Sequence, residues 1–202
     1  MKVILDLPTE ADSAIALAIG KFDGVHLGHR AVIKRLKQNA SARRLPACVL
    51  TFDPHPVEYF MGARAPARLT ALPDKIRLLE SLGVDRLYVC PFTEGIAGMS
   101  PEAFVFDVLV ERLGVRALLL GEDFHFGAGR CGDVGTLRTL GGPVGLEVNT
   151  LEGLAVDGIR VSSTAIRAAI AKGDDSFARR FLGWSSCSPA YPGYVGEPRN
   201  SR

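Results

Sequence analysis

Apolar runs of strand length alternate with helical segments along most of the chain, and this alternation limits the possible folds more than any other feature. The runs cover residues 15–19, 46–52, 86–89, 117–121 and 146–150. Continuous apolar runs are typical of parallel strands that helices cover on both faces. The pattern therefore predicts an α/β fold: a doubly wound sheet of about five parallel strands with helices on both faces.

The composition is that of a soluble globular protein with little net charge. Hydrophobic residues make up 47% and charged residues 23% of the 202 residues, and the formal net charge is +2. Because nucleic-acid-binding proteins usually show a basic face, we expect no nucleic-acid partner. Residues 1–8 carry only a short apolar segment, interrupted by Asp6, and no membrane-spanning run follows. We therefore expect no membrane partner and a cytoplasmic location.

A change in composition near residue 183 predicts the domain boundary. Residues 1–183 carry the apolar runs and form the predicted globular domain, whereas residues 184–202 are rich in Ser, Pro and Gly and show no period. Such a segment predicts an unstructured or atypical tail. The four cysteines are far apart and form no Cys-x-x-Cys pair, which favours reduced thiols. Nothing in the sequence predicts the oligomeric state.

The first apolar run leads into a glycine-rich turn that opens an amphipathic helix. The turn and helix start read Gly20-Lys21-Phe22-Asp23-Gly24-Val25-His26-Leu27-Gly28-His29. Free N–H groups and the helix dipole attract anions at a helix start, and Gly28 would let an anion approach closely. His26 and His29 could both face that anion and donate hydrogen bonds. The stretch predicts a phosphate site, although it matches neither the Walker pattern nor Gly-x-Gly-x-x-Gly.

A second anion site is predicted at a later helix start. Ser162, Ser163 and Thr164 satisfy the preference for hydroxyl groups at an N-cap, and Arg167 follows one turn inside the helix. One hydroxyl is enough for capping, so three hydroxyls with an arginine predict an anion cradle.

Two further strand exits carry candidate binding residues. After the second run, His55 stands between Pro54 and Pro56, where a rigid loop could hold it over a ligand. After the fourth run, Phe124 and Phe126 lie in a Gly-rich loop, where their rings would suit a flat aromatic ligand. A plain Pro-rich turn and inward-folded anchoring rings are the structural alternatives.

Four segments occur in an order and at separations that resemble one family. They are residues 22–29, 51–56 (Thr-Phe-Asp-Pro-His-Pro), 121–127 (Gly-Glu-Asp-Phe-His-Phe-Gly) and 161–167 (Val-Ser-Ser-Thr-Ala-Ile-Arg). Together they are similar to the FMN adenylyltransferase module of bacterial FAD synthetase, over roughly residues 13–183. The resemblance implies a Rossmann-like nucleotidyltransferase sheet and transfer of AMP from ATP to FMN, giving FAD and pyrophosphate with Mg²⁺.

The resemblance also implies roles for individual residues. His29, His26 and Arg167 would be the catalytic residues. The implied ATP-binding residues are Gly20, Phe22, Asp23, Gly24, His26, Gly28, His29, Ser162, Ser163, Thr164 and Arg167. The implied flavin-binding residues are His55, Pro56, Asp123, Phe124 and Phe126. The protein ligands of Mg²⁺ stay unknown at this stage.

The resemblance stops before the riboflavin kinase domain that usually follows this module. Residues 184–202 do not resemble the opening of that domain. The chain is therefore a single-function form, a truncation or a form with an altered ending. We expect FMN adenylyltransferase activity without riboflavin kinase activity.

Other functions stay open at this point. A cytidylyltransferase or pantetheine-phosphate adenylyltransferase would share the His-x-Gly-His segment, and a class I aminoacyl-tRNA synthetase has a similar signature. A non-catalytic flavin- or nucleotide-binding remnant is the alternative from another class. His26, His29, His55 and His125 could also form a zinc site, although neither thiols nor acids are spaced to complete it.

Overall fold

The computed structural model describes residues 1–184, and within them a six-stranded, entirely parallel sheet forms the centre of the molecule. The strands are β1 (Lys2–Ile4), β2 (Ile15–Ile19), β3 (Ala47–Asp53), β4 (Arg86–Pro91), β5 (Val115–Gly121) and β6 (Glu147–Leu151). Their spatial order is β1-β4-β3-β2-β5-β6. The predicted α/β fold is confirmed, and β1 adds an edge strand that the sequence analysis did not predict. The predicted tail lies outside the described residues, except for Trp184.

Helices follow each of the inner strands. They are α1 (Leu27–Arg43), α2 (Pro56–Met61), α3 (Leu72–Ser81), α4 (Glu94–Ala97), α5 (Pro101–Ala103), α6 (Val134–Gly141), α7 (Ser163–Ala171) and α8 (Asp175–Leu182). Helix α5 continues directly into a π-helical segment (Phe104–Arg112), and an antiparallel hairpin of β7 (Ala155–Val156) and β8 (Ile159–Arg160) precedes α7. In the part of the chain described, no helix is long and apolar enough to cross a membrane.

Two apolar cores lie on opposite faces of the sheet. The core against α1 and α3 includes Ala16, Ala18, Ile33, Leu36, Leu78 and Leu79. The core against residues 101–112 and α6 includes Ile15, Leu17, Phe104, Val105, Leu109 and Leu137. Successive side chains of β2 therefore enter opposite cores, as the alternation of a strand requires, and both faces of this strand are buried.

A third apolar cluster holds α7 and α8 against the start of α1. Val161, Ile166 and Phe181 are buried in it, and Leu27 and Leu69 pack against them. Because Leu27 is the first residue of α1, this cluster brings the start of α7 next to the start of α1. The two predicted anion sites thus belong to one region of the molecule.

The strand order reverses between β2 and β5. From β2 the chain moves outward on one side to β3 and β4, and later continues on the other side with β5 and β6. In doubly wound sheets, ligands bind outside the carboxyl ends of the strands at such a switch point. The glycine-rich turn that follows β2 lies at this position.

Candidate functional site

The turn between β2 and α1 has an unusual backbone. Phe22 and Val25 adopt positive φ angles of 47° and 38°, and Gly24 has a φ of 84°. Residues other than glycine rarely adopt positive φ angles, and residues that do so occur preferentially at functional sites. Phe22 is nevertheless 1% exposed, and the Trp184 Nε1 donates a hydrogen bond of 3.0 Å to the Val25 carbonyl. The turn is therefore held rigidly from both sides.

His26 and His29 stand together at the N-terminus of α1. The His26 Nδ1 accepts a hydrogen bond of 3.4 Å from the His29 backbone N–H, so His26 is the N-cap of the helix. The two rings are stacked, with centroids 3.7 Å apart and planes inclined by 17°. A Cβ at Gly28 would lie 3.2 Å from the His26 ring, so glycine leaves the helix start open at this position. The sequence-predicted pair is thus brought together.

Burial keeps both imidazoles neutral near pH 7. It lowers the pKa of His26 to about 4, against a smaller opposing effect of Asp23. It also lowers the pKa of His29 well below its ordinary value, and the charges of His26 and Lys75 lower it further. The His29 Nδ1 is buried and has no hydrogen-bond partner within the described residues. Each neutral ring can act as a donor to a phosphate oxygen through one nitrogen.

Asp23 joins the turn to two distant segments. Its carboxylate is ion-paired with Arg167 of α7 and accepts hydrogen bonds from the backbone N–H groups of Leu69 and Thr70, at 3.0 and 3.1 Å. Arg167 also donates from Nε to the Ala67 carbonyl at 2.7 Å. Asp23 is 3% exposed, so its side chain acts as a buried connection between the two helix starts.

The three hydroxyl groups at the start of α7 lie in different environments. Ser162 is the N-cap and accepts a hydrogen bond of 3.1 Å from the Ala165 N–H. Ser163 donates to the Asp23 backbone carbonyl at 2.9 Å, which ties α7 to the turn after β2. Thr164 is exposed. One hydroxyl therefore caps the helix, one connects the two helix starts and one faces solvent.

His55 is the N-cap of the short helix α2. Its Nδ1 accepts from the Val57 N–H at 3.2 Å, while Glu58 accepts from the His55 N–H at 2.9 Å. Pro56 occupies the first turn, as is common at a helix start. The Glu58 carboxylate also pairs with Arg68, and this pairing lowers the pKa of Glu58 to about 2. A capped helix therefore replaces the Pro-rich loop predicted from the sequence.

The loop after β5 is only partly open to solvent. Phe126 is 7% exposed and packs against Phe104, with ring centroids 5.4 Å apart. Phe124 is half-buried and stacks on Phe126 at 5.9 Å. Asp123 is exposed and forms an ion pair of 2.8 Å with Arg160. Phe126 is thus an anchor of the loop, and Phe124 is the ring of this pair that reaches the surface.

Several residues of this region were not predicted from the sequence. Lys75 is 5% exposed, and its Nζ donates to the Lys21 carbonyl at 2.8 Å. A signal for it existed, because Lys75 lies three and four residues before the buried Leu78 and Leu79, on the apolar face of α3. Arg68 and Thr70 lie in a segment without periodicity, and no sequence pattern marks them.

An exposed aromatic cluster beside α2 was also missed. Tyr59 and Phe60 are 40% and 67% exposed, and each contacts the ring of Phe92 edge to face, at 5.3 and 5.8 Å. These rings lie beyond the carboxyl ends of β3 and β4, on the same edge of the sheet as His55.

Comparisons with known proteins identify the family of the chain. The sequence model of the FAD synthetase family matches residues 9–165. The chain is 39% identical over 180 residues to the bifunctional riboflavin kinase/FMN adenylyltransferase of Escherichia coli strain K12, covering 89% of this chain and 58% of that protein. It is 44% identical over 168 residues to the protein of the same name from Haemophilus influenzae, covering 83% and 54%. The chain thus spans a little more than half the length of these relatives.

The fold also matches a solved structure, a crystal structure described as a macrolide-efflux protein from Streptococcus pneumoniae. The TM-score is 0.77 at 24% identity, over 91% of this chain and 62% of that one. At this identity the match concerns the fold alone. The family match covers most of the chain and includes the turn after β2, both histidines and the start of α7. The chain described here therefore belongs to the FAD synthetase family.

Proposed function

We propose that this chain transfers the adenylyl group of ATP to FMN, giving FAD and pyrophosphate. The proposal follows the FMN adenylyltransferase activity named for its relatives. The observation that carries it is the junction of two helix starts at the switch point, where Asp23 connects the turn before α1 to Arg167 of α7. A polyanion bound there would meet the N-terminal ends of two helices and two neutral imidazoles.

The acceptor supplies its own nucleophile. The phosphate monoester of FMN is mostly a dianion at pH 7, because its second pKa is about 6. One of its oxygens attacks the α-phosphorus of ATP, the new O–P bond forms, and the bond to the bridging oxygen of the leaving pyrophosphate breaks. The protein therefore needs no serine or cysteine nucleophile and no strong base. Its task is to align two polyanions and to stabilise the charge that develops.

The helix starts are suited to the ATP side of this reaction. Gly20, Phe22, Gly24 and Gly28 would shape the turn around the nucleotide, with His26 and His29 as donors to the phosphates. At the opposite side, Ser162, Ser163, Thr164 and Arg167 would contact the triphosphate. Arg167 is held by Asp23 and by the Ala67 carbonyl, so its guanidinium is oriented before ATP binds. Because these donors are fixed in advance, little reorganisation is needed in the transition state.

The flavin would bind on the other strand exits. His55 and Pro56 stand at the exit of β3, and Asp123, Phe124 and Phe126 at the exit of β5, on either side of β2. Phe124 offers a partly exposed ring, whereas Phe126 supports it from below. The exposed cluster of Tyr59, Phe60 and Phe92 adds a further aromatic surface beside His55. A flat isoalloxazine ring is the kind of ligand that such surfaces bind.

Magnesium would enter the site with ATP. Four carboxylates around the strand exits are each paired with an arginine: Asp23 with Arg167, Asp53 and Glu58 with Arg68, and Asp123 with Arg160. Among residues 1–184, no group of three or more His, Cys, Asp or Glu side chains is arranged to hold a metal ion. Phosphate oxygens and water would therefore be the main ligands of Mg²⁺, which would neutralise part of the triphosphate charge. We place the reaction in the cytoplasm, where ATP and FMN are its substrates.

Incubation of the chain with ATP, Mg²⁺ and either FMN or riboflavin, followed by chromatography of the flavins, tests the proposal. We expect FAD and an equal amount of pyrophosphate from FMN, and neither FMN nor FAD from riboflavin. Binding of FMN without release of pyrophosphate would indicate a non-catalytic flavin-binding protein. Release of pyrophosphate with a different phosphate acceptor, and none with FMN, would indicate a related nucleotidyltransferase.

A further inference from the structure

Lys75 is a buried cation at the carboxyl edge of the sheet. It is 5% exposed, and none of the ion pairs within the described residues includes it. Its Nζ donates to the Lys21 carbonyl at 2.8 Å and lies 3.5 Å from the Thr51 Oγ1. The Thr51 hydroxyl also donates to the Lys21 carbonyl, at 3.2 Å. Lys75 therefore joins α3 to the second residue after β2 and to β3.

Burial of the Lys75 ammonium group lowers the stability of the fold. An ammonium group loses most of its hydration on burial, and burial lowers the pKa of Lys75. The neighbouring Leu78 and Leu79 are fully buried, so an apolar side chain would suit the same face of α3. Burying an unpaired ammonium group costs more free energy than burying an apolar side chain of similar size. Stability alone therefore does not explain a lysine at this position.

The surroundings of Lys75 connect it to the candidate site. Burial is the main cause that lowers the pKa values of His29 and His55, and the charge of Lys75 lowers both further. The His29 Nδ1 and the His55 Nε2 are both buried, and neither has a partner within residues 1–184. A cation in the neighbourhood of two imidazoles with free nitrogen atoms increases the positive potential that an entering phosphate would meet.

Other charged groups also affect the protonation of Lys75 and of the two imidazoles. Asp23, Asp53 and Glu58 favour its charged form, and Arg68 opposes it. Around His55, Lys21 and Lys75 disfavour protonation, whereas Asp23 and Glu58 favour it. Besides burial, the neighbouring His26 and Lys75 both disfavour protonation of His29. Each of the three carboxylates that face Lys75 is itself paired with an arginine.

We infer that Lys75 is a positioning residue for adenylyl transfer: its buried ammonium group fixes the turn after β2 through the Lys21 carbonyl and supplies positive charge to the neighbourhood of His29 and His55. The inference rests on the proposed function. In this role Lys75 does not contact the reacting atoms. It keeps the backbone of the phosphate-binding turn in place and raises the potential around the two imidazoles.

Three substitutions separate the hydrogen bond of Lys75 from its charge. Lys75→Arg keeps both, Lys75→Gln keeps a donor without the charge, and Lys75→Met keeps neither. Arg77→Met is the matched control, because Arg77 lies on the same helix and is 61% exposed. We expect kcat for FAD formation to fall about tenfold to a hundredfold in Lys75→Met, as for other misplaced active-site elements. Lys75→Gln should be intermediate, Lys75→Arg should recover most of the rate, and the control should retain it.

A second measurement needs no substrate and no turnover. The chain has four histidines, so ¹⁵N-labelled imidazoles give a small set of resonances that can be titrated in the free protein. Loss of the Lys75 charge should raise the pKa of His29 and His55 in Lys75→Gln and leave both unchanged in Arg77→Met. A lysine that only filled space in the fold would not move these values. If Lys75→Met does not fold, Lys75→Gln and Lys75→Arg still provide the comparison.

The two measurements fail separately. A wild-type chain that forms no FAD would overturn the proposed function, while the titration would still report whether the charge of Lys75 acts on the imidazoles. Full kcat in folded Lys75→Met would overturn the positioning role. Unchanged imidazole pKa values in folded Lys75→Gln would overturn it as well.

Discussion

The guanidinium group of Arg167 is ion-paired with the carboxylate of Asp23, 144 residues earlier in the chain. The Asp23 side chain is 4% exposed and that of Arg167 is 24% exposed. This pair fixes the start of α7 relative to the turn that opens α1. The geometry of the proposed ATP site therefore depends on one contact between two distant parts of the sequence.

Removal of Arg167 should affect both stability and ATP binding. Arg167→Ala leaves a buried carboxylate without its counter-charge, and we expect a loss of about 3 kcal/mol in the free energy of unfolding. ATP binding should weaken, while FMN affinity should be largely kept, and calorimetric titration with each ligand measures both. The exposed pair of Arg160 and Asp123 provides the control, since Arg160→Ala should cost less than about 1 kcal/mol. Equal losses from both substitutions would contradict this account.

His29 should matter for turnover much more than for folding. His29→Ala removes a neutral donor at the start of α1, and we expect FAD formation to fall about a hundredfold with a similar midpoint of thermal unfolding. Lys34→Ala on the exposed face of the same helix should retain both properties. A His29→Ala variant with the turnover of the Lys34→Ala variant would remove this histidine from the mechanism.

The buried imidazoles should make the fold sensitive to mild acid. The folded-state pKa of His26 is about 4, below the ordinary value of 6.5, so between these values the unfolded chain binds more protons. The contribution of neutral His26 to the free energy of unfolding should therefore be fully present above pH 6.5 and be lost as the pH falls toward 4. Of the decline between pH 7 and pH 5, His26→Asn should remove about 2 kcal/mol, because asparagine keeps a capping acceptor without titrating.

Urea unfolding at the two pH values measures this difference. The range lies above the titration of ordinary carboxyl groups, so the acidic side chains contribute little to it. His125→Asn, at an exposed position, serves as the control and should retain the wild-type decline. A decline of the same size in His26→Asn would show that His26 is not its source.

The two phenylalanines after β5 should respond differently to truncation. Phe126→Ala removes a buried ring that packs on Phe104 and should reduce the free energy of unfolding by about 3 kcal/mol. Phe124→Ala should cost less stability but weaken FMN binding, because its half-buried ring belongs to the loop that follows β5. Quenching of flavin fluorescence on binding measures the second effect. Unchanged FMN affinity in Phe124→Ala would mean that the ring belongs only to the packing of the loop.

The local chemistry of the sequence accounts for most of the fold. The apolar run 15–19 coincides with β2, and the serine predicted as a cap at the start of α7 is Ser162, which caps it. β1 was missed because three residues show no period, and its pairing with β4 joins segments more than 80 residues apart. Such an edge strand is determined by long-range pairing, which local patterns do not contain.

The candidate site could be predicted only in part. Residues only three apart in the sequence, such as His26 and His29, could be predicted to lie together because a turn and a helix start bring them together. Lys75 and Arg68 were missed because their roles depend on distant partners. Lys75 binds the carbonyl of Lys21, 54 residues away. Arg68 binds Glu58 and Asp53, 10 and 15 residues away. Long-range hydrogen bonds of single side chains leave almost no pattern in a sequence. The burial of Lys75, in contrast to its hydrogen bond, could be predicted, because its spacing from Leu78 and Leu79 places it on the apolar face of a helix.

The segment 67–70 touches both halves of the candidate site. Its backbone binds Asp23 and Arg167, while the side chain of Arg68 binds Asp53 and Glu58 beside His55. An insertion or loop graft between α2 and α3 would thus also displace the turn after β2. This holds even if the change were made only to accept a different phosphate donor or acceptor. Engineered specificity on the flavin side would have to transfer α2, this segment and the turn after β2 as one unit.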